Sequence, residues 1–294
     1  MTDLRDGADP LASAPSRAGP SRRQLHERRL RRRSTTIAAL STALVVGALV
    51  VLIPLTPGWD RVKDLFFDAE RFREDFPLLL DAFWLDVKIF LVSAPCILVV
   101  GMLLALARGI RSPALYPLRL FATIYIDVFR GVPIILTITL IGFGIPGLRI
   151  FDRPWNSPLI WGSVALILAY SAYVAEVFRA GIESVHESQR AAARSLGLSN
   201  TLTLRHVVLP QAVRRVVPPL MNDLVSLQKD VALISILGPI EILRQAGILK
   251  AKYANFTPYV AAAVIFLCVT IPLTRLTDHL LQRQRTRTSG TAVR

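Results

Sequence analysis

Long uncharged stretches alternate with short charged ones along this chain, and the uncharged stretches have the length a bilayer requires. Thr35 to Thr56 carries no ionisable side chain. A helix of that length, at about 1.5 Å per residue, crosses a hydrocarbon core of roughly 30 Å. A second helix is predicted from about Phe83 to Ala107, with Asp86 and Lys88 near its start, where long side chains reach the interface. Further helices are predicted from about Leu120 to Ile145, from Pro158 to Ala180 and from Tyr253 to Leu273. One more lies within Val213 to Gly238, interrupted by Pro218, Pro219, Asp223, Lys229 and Asp230, and is partly required by parity. The pattern predicts an all-α membrane protein of about six transmembrane helices.

The connecting segments supply the orientation. Residues 1–34 are polar and Arg-rich and read as a disordered basic tail, because they cannot bury enough apolar surface to order themselves. Residues 57–82 read as an extracytoplasmic loop, mixed in charge around Phe66, Phe67, Phe72 and Phe76, and residues 282–294 as a second basic tail. The segments predicted to lie inside hold 23 Lys and Arg against 9 in those predicted outside, which places both termini in the cytoplasm.

A net charge of +14 would suggest nucleic acid in a soluble protein, but here the basic residues flank apolar runs. They are topology signals with some attraction to anionic membrane lipid, and no nucleic-acid partner is expected. Cys96 and Cys268 sit in apolar stretches and read as small core residues. His26, His186, His206 and His279 lack the spacing of a metal site, so no metal is expected. The first helix lacks a small-residue cleavage site and reads as an uncleaved span.

The segment at 182–210 is different in kind. It is polar and basic, and two short helical patterns meet at Gly197, placed as a left-handed C-terminal cap; Ser199 can cap the second pattern, and Pro210 is expected to force a turn. Small residues Ala191, Ala192 and Ala193 give it the shape of an element that seats in another protein's groove.

On these residues the sequence resembles the permease subunits of ATP-binding-cassette importers, in the branch that takes up polar amino acids. The family's loop reads Glu-Ala-Ala, three residues, Gly, nine residues, Ile-x-Leu-Pro. Ala191, Ala192, Ala193, Gly197, Val207, Leu209 and Pro210 occupy the corresponding positions. "YIDVFRGVP" from Tyr125, "AYVAEVFRAGIESV" from Ala172 and "SLQKDVALISILG" from Ser226 are similar to three further segments of the branch, in the same order.

The resemblance implies a MetI-like five-helix permease core at 83–281, with residues 35–56 as an extra N-terminal helix, in the bacterial inner (plasma) membrane. It implies ABC ATPase subunits that dock on the loop at 182–210, a second permease subunit, an extracytoplasmic solute-binding protein and a polar amino-acid substrate. The chain lacks a phosphate-binding glycine loop followed by Lys-Ser/Thr, so ATP and Mg²⁺ belong to the partner ATPase; no cofactor and no enzymatic step are assigned to this chain. Two departures stand out: Ala191 replaces the family's leading Glu, and Val231 and Ala232 replace Thr-Ser after Lys229 and Asp230.

Asp127 with Arg130, Glu176 with Arg179, and Lys229 with Asp230 lie inside predicted spans, where ionisable groups either border a solute path or pair structurally. Asp127 and Arg130 have the spacing of an intrahelical ion pair. Lys229 and Asp230 cannot face one path unless the helix unwinds there. Two other readings compete: an ion-coupled secondary transporter, for which no inverted repeat is visible, and a membrane scaffold, which leaves the loop motif unexplained.

Overall fold

The computed structural model describes residues 22–110, 112–152 and 154–290, with side-chain surroundings within 35–282. Among these residues every regular element is helical. The chain divides into two units, residues 1–62 and 63–294.

In the first unit, α1 (Arg22–Leu52) begins ahead of the uncharged run. The basic block at Arg28 to Arg33 is therefore helical, not part of a disordered tail, as the helix-forming Gln, Leu, Glu and Arg there favour. The rest of the expected tail, residues 1–21, lies outside the described residues. Side chains from Thr35 to Thr56 are exposed, an apolar surface suited to lipid.

The segment expected as an extracytoplasmic loop is also helical: α2 (Trp59–Phe66) is followed by α3 (Ala69–Arg108). Asp68 caps α3 by accepting from the Glu70 and Arg71 N–H groups at 3.0 and 3.1 Å. The physical cause is a stripe at helical spacing, Phe72, Phe76, Leu79 and Phe83, which packs with Ile242, Ala246, Leu249, Ala261 and Ile265. The mixed charge concealed this stripe.

The predicted third span is two helices, α4 (Tyr116–Gly131) and α5 (Ile134–Gly147), bent by 106°. Pro133, which has no N–H to continue the ladder, and its constrained predecessor Val132 form the break. The fourth, α6 (Pro158–Glu183), is continuous. The short α7 (Glu187–Ser195) and α8 (Asn200–Thr203) lead through a π-helical turn, Leu204–Val208, into α9 (Leu209–Asp230). Pro210 therefore forces no turn; it sits in the first turn of α9, where its missing N–H costs nothing. Pro218 and Pro219 lie inside α9 without ending it.

After Asp230 the backbone tightens into a 3₁₀ stretch, Val231–Leu237, before α10 (Ile242–Tyr253), at a bend of 53°. The last helix, α11 (Thr257–Gly290), takes in most of the expected basic tail; residues 291–294 lie outside the described ones. Among the described residues, four helices are long and apolar enough to cross a membrane, or up to six spans if each bent pair counts as one. Cys96 and Cys268 are exposed, not core, because in a bilayer the outward face of a helix is apolar too.

The main core joins α3, α4, α5, α6 and α9 around Ile97, Ile126, Ile138, Leu166 and Leu227. Small residues let the helices approach. The Leu237 side chain enters a gap between α5 and α6: a Cβ on Gly142 would lie 2.2 Å from its Cδ1, and one on Gly162 2.6 Å. We therefore expect Gly142→Val to cost about 1–3 kcal/mol by overpacking. A lower thermal midpoint that Leu237→Ala partly restores is the check; equal loss in the single and double variants refutes the contact.

Candidate functional site

Two regions draw in the residues singled out from the sequence. The first is the loop between α6 and α9. Arginine side chains serve the last carbonyls of α6, Arg190 donating to Ile182 O and Arg215 to Ser184 O. Cationic donors at this end also meet the negative pole of the helix. His186 caps α7: its Nδ1 accepts from the Ser188 N–H at 3.2 Å.

Gly197 has φ +82°, the left-handed conformation expected of it. Its N–H bonds to Arg194 O at 2.9 Å and the Leu198 N–H to Ala193 O at 3.2 Å, the two bonds of a Schellman turn. Ser199 Oγ then accepts from the Leu202 N–H at 3.3 Å and opens α8. The loop is seated on a small cluster of Val185, Val208 and Ala212.

This construction sorts the loop's residues. Ala193 is buried at 4% exposure, and Val207 is partly buried. Ala191, Ala192, Gly197, Leu209 and Pro210 are exposed. Leu196, which the motif does not include, is 83% exposed at the tip of the turn, a large apolar side chain held out by a rigid cap. The signal that could have found it is its place directly before the capping glycine. Between α3, α6 and the π turn lies an apolar cavity of about 370 Å³, lined by Met102, Leu106, Phe178, Leu204 and Leu209 among others.

The second region lies at the root of this loop. Glu176 on α6 accepts from Arg108 Nη1 of α3 at 3.0 Å and from Arg179 Nε at 3.0 Å, and lies 4.0 Å from Arg130 Nη1 of α4. Arg179 also pairs with Glu183, the last residue of α6. One carboxylate thus ties three helices together beside the loop. The expected Asp127–Arg130 pair does not form: Asp127 is exposed on α4, and Arg130 turns to Glu176 and the Tyr173 ring. Arg108, the last residue of α3, is a full member of the cluster.

Lys229 and Asp230 separate as their adjacency demands. Lys229 is exposed, while Asp230, where α9 gives way to the 3₁₀ stretch, accepts from the Tyr170 hydroxyl of α6 at 2.6 Å. Among the described residues, no group of three or more His, Cys, Asp or Glu side chains could hold a metal ion.

Residues 116–286 match the family of binding-protein-dependent transport system inner membrane components. A putative glutamine transport system permease protein of Rickettsia felis is 36% identical over 59% of this chain and 78% of its own length. A probable glutamine ABC transporter permease protein of Bacillus subtilis is 30% identical over 71% of this chain and 94% of its own. An arginine transport system permease protein of the same organism is 32% identical over 67% and 88%. Among solved structures, an amino acid ABC transporter crystallised with histidines superposes with a TM-score of 0.67 at 30% identity, covering 74% of this chain and 98% of the other.

Proposed function

Because this chain belongs to the family of binding-protein-dependent transport system inner membrane components, we propose that it is the permease subunit of an ATP-driven importer of polar amino acids. In this reading it is a multi-pass protein of the bacterial inner membrane. It works beside a second permease subunit, receives solute from an extracytoplasmic binding protein, and is moved by separate ATPase subunits that carry ATP and Mg²⁺. The observation that supports this best is the capped loop at 182–210, which presents Ala191, Ala192, Leu196 and Gly197 outward while its two roots are pinned to α6 and α9.

A docked ATPase would push on this rigid elbow, and the Glu176 cluster would pass the displacement to α3, α4 and α6 together. Two states that differ in these contacts are what allow a ligand-driven change of access. Asp230 and Tyr170, at the change of helix type, are the polar groups we place along the solute path, where an ammonium of an amino acid would meet a carboxylate. Freed backbone groups at such breaks are tolerated when they line a cavity.

Leu196 gives a direct test. Leu196→Asp is expected to reduce co-purification of the ATPase by about tenfold or more, since a desolvated aspartate costs over ~1.4 kcal/mol in an apolar socket. The amount of permease in the membrane should not change. Undiminished co-purification, with normal uptake of a polar amino-acid panel, would remove the loop from the coupling role.

A further inference from the structure

Beside the middle of α3, two carboxyl groups are buried together. Asp86 of α3 is 2% exposed and Glu241, which caps α10, is 0% exposed. Asp86 accepts from the backbone of Ile242, the residue that follows Glu241, so the two carboxyls are neighbours at the start of α10. The first turn of α10 supplies every donor they have: Ile242 N–H to Asp86 Oδ2 at 3.2 Å, Leu243 N–H to Glu241 Oε2 at 2.9 Å, and Arg244 N–H to Glu241 Oε1 at 2.6 Å. Three donors serve four oxygens. The fourth, Asp86 Oδ1, is buried without a partner.

The surroundings offer no neutralising cation. On α3, Lys88 is exposed and lies over the Trp84 ring. On α10, Arg244 is exposed, and at the end of α9 so is Lys229, beside the uncharged Gln228. The 3₁₀ stretch Val231–Leu237 carries no ionisable group, and α11 meets this part of α3 through Phe266. A helix N-terminus carries about half a positive charge, enough to favour one anion but not two. Two ionised carboxylates in an apolar site would repel each other and remain badly desolvated.

We propose that Asp86 and Glu241 bind one proton between them. The proton sits on Asp86 Oδ1, which becomes the missing donor and gives its hydrogen bond to a Glu241 oxygen; the pair then carries a single negative charge facing the α10 N-terminus. No covalent bond other than O–H is made or broken. The site is a proton-binding clasp between α3 and α10, remote in sequence from the loop at 182–210, and it does not depend on the transport reading.

The test uses the assembled protein in lipid nanodiscs. Infrared spectra at neutral pH should contain the C=O stretch of a protonated carboxylic acid, shifted by ¹³C-labelled aspartate and lost in Asp86→Asn. Unfolded, both carboxyls are ionised at neutral pH, so the folded state binds the extra proton and its stability must fall as pH rises. The wild-type thermal midpoint should therefore drop in alkaline buffer. Asp86→Asn, whose amide supplies the donor permanently, should keep the neutral-pH midpoint and lose the drop attributable to this pair. Absence of the acid band in the wild type overturns the proposal without any variant. So does an unchanged alkaline drop in Asp86→Asn, or a stabilisation by sodium ions that Asp86→Asn abolishes, which would make the site a metal-cation site.

Discussion

Replacing Gly197 by valine should leave the protein in the membrane and abolish ATP-driven uptake. A Cβ at this position meets nothing within 4 Å, so the obstacle is not space but backbone. At φ +82° a β-branched residue costs on the order of 1–3 kcal/mol. The elements on either side, Glu187–Ser195 and Asn200–Thr203, are too short to hold their own geometry, so relief of that strain redirects them. A loss of more than ~1.4 kcal/mol at the coupling step is about tenfold or more in rate. Gly197→Asn, which tolerates the left-handed region, should keep much of the activity. The measurement is uptake into proteoliposomes beside the ATPase rate. Wild-type uptake by the valine variant contradicts the coupling role, and equal failure of the asparagine variant contradicts the backbone explanation.

Loss of Glu176 has the largest expected effect on stability. Arg108, Arg179 and the more distant Arg130 share this carboxylate, which is 23% exposed. Removing the partner of a buried ion pair costs about 3–5 kcal/mol, and partial exposure moves this site toward ~2–4 kcal/mol. Glu176→Gln should be nearly as damaging as Glu176→Ala, because the missing feature is charge. Adding Arg108→Gln to Glu176→Gln should recover part of the loss, since the double replacement leaves one fewer stranded cation. Asp127→Asn, at an exposed position outside the cluster, is the control and should change little. Thermal midpoints and membrane levels of these variants provide the comparison; a wild-type midpoint in Glu176→Gln would mean the cluster does not hold the helices together.

The loop was the most legible part of the molecule. Gly197 and Ser199 act through their own backbone neighbours, so a left-handed cap and a helix start could be inferred from residue type and position alone. The uncharged spans were legible for the same reason: a hydrocarbon solvent constrains composition along the chain directly. The helical course of residues 69–82 was recorded too, in the stripe Phe72, Phe76, Leu79 and Phe83, but charge at the intervening positions pointed to a loop.

Sequence by itself therefore determined the all-helical membrane class, the capped loop and the family. Tertiary structure alone decided which charge meets which. Arg130 has the spacing to pair with Asp127 yet lies by Glu176, because the break at Val132–Pro133 and the packing of α4 on α6 set the direction of that side chain. Arg108 joins the same carboxylate across a separation of 68 residues, and Asp86 reaches the start of α10 across 156. Periodicity describes neighbours along one helix. Partners across helices depend on rotation, bend and depth, which are fixed only when the helices pack.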